Sequence, residues 1–303
     1  MLIAIDHGNK LIKGAVSGPF TSGLLESDIR PFGKEVLKYR ERYFQLSDQR
    51  IPYHRDKTED DRFFILTLFA IAREITANRC YSPSTMRIQL AVGLPPAHFG
   101  AQYQKFTRYF LNRGPISFSY QGRNYLIVID NVACFPQSYA AAVTILPTLQ
   151  SEPKALILDI GGFTADYLQI RNGEGNLSVC DSLENGVIRL YNNIISKVNA
   201  EQNILLDEAE IDAILDGKST AQFEVARIVE QQASAFVHDL FSTLRERGLE
   251  LRSGKVVFVG GGSILLRRFI LSSDKIGSAL FVEDIRANAK GYELLYKSSV
   301  GGE

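Results

Sequence analysis

The chain has 303 residues, of which 45% are hydrophobic and 22% are charged, with 34 basic and 34 acidic side chains. This length suits two domains, and the apolar fraction is sufficient for a sizeable core. Zero net charge argues against non-specific binding by the whole chain, so direct contact with nucleic acid is not expected. A basic run from Arg30 to Arg62, including Lys34 and Lys57, is interpreted as a solvated loop and helix face. A local basic patch remains an alternative.

The sequence contains no sign of secretion or membrane insertion. Its three cysteines are scattered, without the spacing of a metal site or a disulfide framework, which fits a reducing compartment. The chain opens with a predicted strand, so a signal peptide is not expected. The longest apolar stretch, residues 63–72, predicts a buried helix because it is too short to span a bilayer. We therefore expect a cytoplasmic protein without a membrane anchor.

Strand patterns dominate the start of the chain. Periodicity and turn residues predict strands at 2–6, 11–16, within 20–25, 43–46 and 86–92, a hairpin of 116–120 with 125–130, and helices at 58–78, 102–112 and 136–146. Thr58 is predicted to cap the first of these helices. The rest of the region from 30 to 61 is predicted to be irregular.

The same alternation restarts after residue 150. Strands are predicted at 155–159, 164–171, 177–183 and 255–259, and helices at 186–198, 207–215, 220–247, after Gly262 and at 286–296. This pattern is typical of α/β sheets covered by helices. We expect one domain over residues 1–150 and a second over 151–284, with a C-terminal helix at about 285–303 packing back on the first.

Three glycine turns lie far apart in the chain, and each follows a short apolar strand. They are Asp6-His7-Gly8-Asn9-Lys10, Asp159-Ile160-Gly161-Gly162-Phe163-Thr164 and Val259-Gly260-Gly261-Gly262-Ser263. The first two share the form strand, Asp-x-Gly, strand, which suggests duplicated halves. Any one of them alone is also explained by an ordinary turn. Together they favour one site for phosphate and a nucleoside.

These residue types suit phosphate and magnesium chemistry. A glycine turn lets backbone N–H groups approach phosphate oxygens. An aspartate beside it repels phosphate but can hold Mg²⁺, usually through water, so Asp6 and Asp159 are candidate metal ligands. Lys13 is placed to neutralise a β-phosphate. The third turn leads from a strand into a helix, where a nucleoside or an α-phosphate can approach. The spacing fits neither a P-loop nor a Rossmann fingerprint.

In this order, the three turns resemble the motifs of the actin-like ATPase superfamily. Residues 131–141 and 287–292 resemble its two connecting helices. Gly93-Leu94-Pro95, the form Asp-x-Gly-Gly-x-Thr-x-Asp and the segment Ala-Asn-Ala-Lys-Gly-Tyr are most similar to ParM-type plasmid-segregation actins. The resemblance implies an α/β, actin-like ATPase fold with two ribonuclease H-like domains and a nucleotide cleft between them.

The resemblance also implies roles for individual residues. The implied nucleotide-binding residues are Asp6, Gly8, Asn9, Lys10, Lys13, Gly161, Gly162, Phe163, Thr164, Glu184, Gly260, Gly261, Gly262 and Ser263, with Asp6 and Asp159 facing the metal. Gln137, at the start of the first connecting helix, would orient the attacking water. Phe163 departs from the small or hydroxyl residue often found in the family.

Several polar residues have two interpretations. The segment Glu184-Asn185-Gly186 either reaches the ribose or caps the next helix. Asp166 either supports the second turn or alternates outward from its strand, with support favoured. His7 either senses the nucleotide or faces solvent, with solvent favoured. Three further histidines, His54, His98 and His238, have no partner that the sequence identifies.

The resemblance predicts an ATPase that polymerises head to tail into dynamic filaments. The implied cofactors are ATP, with GTP as an alternative, and Mg²⁺. The implied partners are further copies of the chain and a DNA-binding adaptor that links the filament to a plasmid or other mobile element. The alternatives are a small-metabolite kinase and a non-polymerising, chaperone-like ATPase on the same fold.

Overall fold

A computed structural model describes residues 1–33, 35–218 and 221–300. The chain divides into two compact units, Met1–Ile145 with the C-terminal segment from Arg286, and Leu146–Ile285. Three sequence-based expectations touch residues outside the described part: Lys34 in the basic run, the helix start at Thr220, and the end of the C-terminal helix at 301–303.

Within its described residues, the first unit contains nine strands. They are β1 (Leu2–His7), β2 (Leu11–Gly14), β3 (Phe20–Thr21), β4 (Leu24–Ser27), β5 (Val36–Tyr39), β6 (Arg42–Leu46), β7 (Met86–Leu94), β8 (Ile116–Tyr120) and β9 (Arg123–Pro136). Its first three helices are α1 (Arg62–Ala77), α2 (Pro96–Leu111) and α3 (Tyr139–Val143). Every residue from Phe63 to Ala72 is buried, which confirms the predicted buried helix.

The described part of the second unit contains five strands and six helices. The strands are β10 (Lys154–Ile160), β11 (Ala165–Arg171), β12 (Glu174–Leu183), β13 (Lys255–Val259) and β14 (Ser278–Phe281). The helices are α4 (Leu146–Leu149), α5 (Val187–Gln202), α6 (Glu208–Leu215), α7 (Phe223–Glu246), α8 (Gly261–Leu265) and α9 (Arg267–Leu271). The last helix, α10 (Ala287–Val300), belongs to the first unit.

The two sheets repeat one strand arrangement. Their orders are β3-β2-β1-β7-β9-β8-β5-β6-β4 and β12-β11-β10-β13-β14. In each, an antiparallel hairpin, β1–β2 or β10–β11, comes first, and its leading strand pairs in parallel with a later strand, β7 or β13. Asp6 and Asp159 therefore occupy equivalent positions near the ends of equivalent strands.

Close backbone contacts hold α10 against the first unit. A Cβ atom at Gly291 would lie 1.9 Å from the carbonyl oxygen of Ala140 in α3, and one at Gly93 would lie 2.1 Å from the hydroxyl of Tyr292. Only glycine fits at either position without movement of its neighbour. The segment Ala-Asn-Ala-Lys-Gly-Tyr thus carries both a buried aromatic anchor and the glycine that lets α10 approach α3.

The predicted start of α1 was wrong. Thr58 lies in a turn in which the Asp56 carboxylate accepts hydrogen bonds from its backbone N–H and its hydroxyl, at 2.9 and 2.6 Å. This local bonding competes with helix capping. The helix begins at Arg62, and the Asp60 side chain accepts from the Arg62 N–H.

Other element boundaries also differ from those predicted. Strands β5 and β14 were missed, and α2 begins at Pro96 rather than at residue 102, since proline suits the first helical position. The predicted helix over 136–146 is shorter, because β9 continues through Pro136 and α3 begins only at Tyr139. The helix after the third turn begins at Gly261, not after Gly262.

Candidate functional site

The first glycine turn joins β1 to β2. The pairing of these strands places Asp6 opposite Lys13 and His7 opposite Ile12. A Cβ atom at Gly8 would lie 2.5 Å from the carbonyl oxygen of Leu11, so the tight turn requires glycine there. Gly8, Asn9 and Lys10, the three predicted phosphate-binding positions, thus form a compact loop above the paired strands.

Both carboxylate oxygens of Asp6 are engaged within this unit. Lys13 Nζ donates to Asp6 Oδ2 at 2.8 Å, and Gln137 Nε2 donates to Oδ1 at 2.8 Å. Asp6 is 1% exposed. Burial acts to raise the pKa of Asp6, but the charge of Lys13 and its hydrogen bond, with smaller effects of Lys57 and His7, keep that pKa below its ordinary value. Asp6 therefore remains ionised at neutral pH.

Gln137 follows β9 and is not part of the connecting helix, which corrects the predicted position. Its backbone N–H donates to the carbonyl of Leu94 at 2.8 Å, and its side chain is buried. An ionised carboxylate only accepts hydrogen bonds, so the Gln137 group that contacts Asp6 must be the NH₂. This contact fixes the orientation of the Gln137 side-chain amide. The side-chain carbonyl oxygen of Gln137 then points away from Asp6 as a hydrogen-bond acceptor.

His7 is buried, so the expectation that it faces solvent was wrong. Its Nε2 lies 2.7 Å from the hydroxyl of Thr67, and that hydroxyl donates to the carbonyl of Phe63 at 2.7 Å. Since a hydroxyl has one proton, His7 must carry its proton on Nε2. Burial, with a contribution from the Lys57 charge, lowers the pKa of His7 to about 3. The imidazole is therefore neutral and bound to α1.

The second glycine turn joins β10 to β11 and is held by the start of α5. The N–H groups of Gly186, Val187 and Ile188 donate to the carbonyls of Phe163, Gly161 and Gly162 at 2.8, 3.1 and 2.8 Å. The turn is also closed internally, from Gly161 N–H to the Thr164 carbonyl at 2.8 Å.

Gly186 is required by this contact, because a Cβ there would lie 2.5 Å from the Gly162 carbonyl oxygen. Gly186 itself occupies the N-cap of α5, which has no side-chain cap bond. The segment Glu184-Asn185-Gly186 thus precedes α5 as the capping interpretation expected, with Gly186 at the N-cap. Glu184 is exposed, and its role at the ribose stays a prediction.

The third glycine turn lies against Asp159. Gly260 has φ of +86°, and a Cβ on it would lie 2.2 Å from Asp159 Oδ1 and 2.8 Å from the Ile160 carbonyl oxygen. At Gly262, a Cβ would lie 2.6 Å from the same carbonyl, whereas at Gly261 it would meet no atom within 4 Å. The fold thus brings the second and third predicted turns together within one unit. Ser263 directs its hydroxyl inward, donating to the Val259 carbonyl at 2.5 Å.

Asp166 lies directly opposite Asp159 on the neighbouring strand. It is 3% exposed, so the interpretation of Asp166 as an outward-facing strand residue was wrong. Its burial next to the second turn agrees with the favoured interpretation, which was support of that turn.

The predicted residues thus form two sets. The first unit brings together Asp6, Gly8, Asn9, Lys10, Lys13 and Gln137, and the second brings together Asp159, Gly161, Gly162, Phe163, Thr164, Gly260, Gly261, Gly262 and Ser263. That both sets contact one nucleotide remains a prediction.

The donors present fit magnesium better than a metal held by protein alone. Among the described residues, no group of three or more His, Cys, Asp or Glu side chains is arranged to hold a metal ion. Mg²⁺ usually keeps several waters and takes one or two carboxylates together with substrate phosphates. Asp6, with both oxygens already accepting hydrogen bonds, suits contact through water.

Two buried charged residues of the first unit were missed. Lys57, assigned to a solvated face, is 5% exposed and donates to the His7 carbonyl. Glu74 is 2% exposed and accepts from the N–H groups of Val16 and Ser17, at 3.1 and 2.6 Å. Charged residues are rarely buried, and no local signal in the sequence distinguishes these two from their solvated neighbours.

Two of the histidines thought to lack partners have them. His54 Nδ1 contacts the Glu59 carboxylate at 2.9 Å, and its Nε2 contacts Arg62. His238 Nε2 lies 3.1 Å from Lys275 Nζ. None of these contacts involves the glycine turns.

No helix within the described residues is both long and apolar enough to cross a membrane.

Two family models match the chain. Residues 32–139 match the N-terminal domain of actin-like proteins, and residues 157–271 match the C-terminal part of the archaeal actin homologue MreB-like. No curated protein matches the sequence significantly.

Solved structures of actin homologues cover nearly the whole chain. The ADP complex of Ta0583, an archaeal actin homologue, has 16% identity and a TM-score of 0.73, covering 98% of this chain and 99% of that one. A 15-stranded ParM filament from Clostridium botulinum has 17% identity and a TM-score of 0.75, with 98% and 99% covered. The actin-like protein Alp7A has 14% identity and a TM-score of 0.75, with 99% and 97% covered. The chain therefore has the actin-like fold, and its resemblance to actin-like proteins, ParM-type proteins among them, is confirmed.

Proposed function

We propose that this protein binds ATP together with Mg²⁺ and hydrolyses it. The observation that carries the proposal is the arrangement around Asp6, in which a buried, ionised carboxylate beside a glycine turn holds both Lys13 and the amide of Gln137. The contact of Asp159 with the third glycine turn supplies the matching feature in the second unit. The ADP complex of Ta0583 supports a nucleotide as the ligand of this fold.

Each set of residues has a role in the proposal. The turns at Gly8-Asn9-Lys10 and Gly161-Gly162-Phe163-Thr164 would bind the β- and γ-phosphates through backbone N–H groups. Gly260, Gly261, Gly262 and Ser263 would lie against the adenosine, with Glu184 near the ribose. Asp6 and Asp159 would hold Mg²⁺ through water, and the ion would neutralise charge on the phosphates. GTP remains an alternative to ATP.

Gln137 is the proposed catalytic residue. With its NH₂ group on Asp6, its carbonyl oxygen is available to accept a hydrogen bond from the attacking water. A neutral amide is sufficient for this role, since phosphoryl transfer through a loose transition state depends mainly on positioning and on stabilising charge. Lys13 would act beside it as a fixed positive charge near the β-phosphate.

Filament assembly is the proposed outcome of nucleotide binding. Repeated head-to-tail contacts between identical subunits give an open filament when the rotation does not close. The relative from Clostridium botulinum is itself a filament of ParM, which supports the same assembly here. The proposed cargo is a plasmid or another mobile element, linked in the cytoplasm through a DNA-binding adaptor.

Purified protein provides the test. With ATP and Mg²⁺ we expect phosphate release and a rise in light scattering, with filaments visible by electron microscopy. A non-hydrolysable ATP analogue should give filaments that persist, and chelation of Mg²⁺ should abolish phosphate release. Failure to bind nucleotide would contradict the proposal. Phosphate transfer to a small metabolite without filaments would indicate the kinase alternative.

A further inference from the structure

Lys57 is a buried cation beside the first glycine turn. It belongs to the segment that connects β6 to α1, and the residue is only 5% exposed. The ammonium donates to the carbonyl oxygen of His7, the residue immediately before Gly8, and lies 5.5 Å from the centre of the Phe63 ring. Burying an ammonium costs several kcal/mol unless its surroundings compensate. The location of this charge therefore requires an explanation.

The same connecting segment holds the other side of the turn. The N–H of Ser22 donates to the Lys10 carbonyl at 2.9 Å, and the N–H of Ile51 donates to the Ser22 carbonyl at 2.7 Å. The carbonyls of His7 and Lys10, which flank Gly8 and Asn9, thus both accept hydrogen bonds from protein donors. The segment from Ile51 to Lys57 reaches one of them directly and the other through Ser22.

Holding these carbonyls has a consequence for phosphate binding. A trans peptide is planar, so its C=O and N–H point in opposite directions. The bond from Lys57 to the His7 carbonyl therefore fixes the direction of the Gly8 N–H. It also keeps a carbonyl oxygen, which would repel phosphate, turned toward a positive charge. The charge itself lies near enough to Asp6 to favour the ionised carboxylate.

We propose that Lys57 is a positioning residue for the first phosphate turn, where its buried ammonium fixes the His7–Gly8 peptide and adds positive charge for the terminal phosphates. This inference rests on the proposed function, because it requires that the turn bind phosphate. It predicts that removing the charge of Lys57 affects the binding of ADP and ATP more than the binding of AMP. ADP and ATP have a β-phosphate that would feel this charge, whereas AMP does not.

The experiment compares the affinities of ADP and AMP for the full chain and its variants. Lys57→Met keeps the apolar stem and removes the charge and the donor, so ADP affinity should fall about tenfold or more while AMP affinity changes less than about twofold. Lys57→Gln keeps a donor without the charge and should give a smaller loss, again confined to ADP. Lys38→Met, which removes a half-buried lysine of β5 in the same unit that pairs with Glu41, should leave both affinities unchanged.

The outcomes separate this inference from the proposed function. Unchanged ADP affinity in both Lys57 variants, or equal losses for ADP and AMP, would show that Lys57 has only a structural role. Unfolding of Lys57→Met would leave the decision to Lys57→Gln, whose folding is checked by circular dichroism. If the unmodified protein bound neither nucleotide, the proposed function itself would be wrong, and this inference with it.

Discussion

The two glycine hairpins have the same topology but differ in the residue that lies opposite the turn aspartate. In the first unit, the residue opposite the turn aspartate is Lys13, which forms an ion pair with Asp6 at 2.8 Å. In the second unit, the residue opposite Asp159 is Asp166, and both are almost fully buried. The first hairpin therefore places a base opposite the turn aspartate, whereas the second places an acid there.

This difference predicts different roles for the two hairpins. Like charges directly opposite each other on neighbouring strands destabilise a sheet, and an added cation relieves the repulsion. Under the proposed function, the second hairpin should therefore depend more on Mg²⁺ than the first, whose aspartate already pairs with Lys13. A duplicated fold can thus give two non-equivalent halves of a site through a single cross-strand substitution.

The largest predicted effect concerns the two aspartates. Asp159→Ala should lower the rate of Mg²⁺-dependent ATP hydrolysis by roughly 100-fold or more, because it removes a carboxylate that Asp166 cannot replace in the same position. Asp6→Asn should raise the Mg²⁺ concentration needed for half-maximal hydrolysis less than Asp159→Asn does. Hydrolysis measured against free Mg²⁺ checks both statements.

The exposed residue Asp274 provides a control, since Asp274→Ala should behave like the unmodified protein. Normal turnover by Asp159→Ala would refute the role of this residue. A greater Mg²⁺ requirement in Asp6→Asn than in Asp159→Asn would reverse the comparison.

The next effect concerns the amide that Asp6 holds. Gln137→Ala should slow hydrolysis by roughly 100-fold while changing ADP affinity less than about twofold, because it removes the acceptor for water without touching the turns. Single-turnover rates and equilibrium binding separate the two quantities. Gln104→Ala, at an exposed position on α2, is the matched control. Loss of binding with normal residual chemistry would mean that Gln137 belongs to the binding site instead.

Two neighbouring glycines offer a matched pair in the second unit. Gly260→Ala should lower the free energy of unfolding by about 1–3 kcal/mol, because an alanine at positive φ is strained and its Cβ would displace the Asp159 carboxylate. Gly261→Ala should have a much smaller effect, since its Cβ would meet no atom within 4 Å. Chemical denaturation measures both. Equal effects of the two substitutions would remove the argument for a required contact between Gly260 and Asp159.

A pH-dependent prediction applies to the first unit alone. The folded-state pKa of His7, about 3, lies below the ordinary histidine value of 6.5. The unfolded chain therefore binds a proton that the folded chain excludes, and stability falls as pH decreases below 6.5. The expected contribution of His7 is about 2 kcal/mol between pH 6.5 and 5.

His7→Gln should abolish this part of the pH dependence, and His238→Gln, at an exposed position, should preserve it. Unfolding followed by denaturant at several pH values provides the measurement. An unchanged slope in His7→Gln would show that His7 is not held neutral by burial.

The smallest predicted effect tests the repulsion in the second hairpin directly. Asp166→Asn should stabilise the Mg²⁺-free protein by up to about 1 kcal/mol, because it replaces one of two acids that lie directly opposite each other. The gain should shrink when Mg²⁺ and nucleotide are present. Paired melting curves with and without them measure the difference. Destabilisation under both conditions would show that Asp166 supports the second turn mainly through its charge.

Elements that depend on neighbouring residues were predicted better than those that depend on contacts between distant residues. Strands beside the glycine turns and the buried helix α1 were predicted well, since apolar runs and turn residues are local signals. The cap at Thr58 and the helix at Pro136 were wrong because Asp56 and the pairing of β9 with β7 overrode local preference. Strand β5 was missed because its alternation is short and lies within a polar region.

The positions at which glycine, aspartate and apolar strand residues coincide can be read from the sequence, and they identify the three turns and their order. Which polar groups meet depends on the fold: Lys13 and Gln137 contact Asp6, Asp166 lies opposite Asp159, and Lys57 contacts the His7 carbonyl. Turns and strands follow from neighbouring residues. Burial and pairing of charged groups depend instead on strand register and on contacts between distant residues, such as Asp6 and Gln137, which are 131 positions apart in the chain.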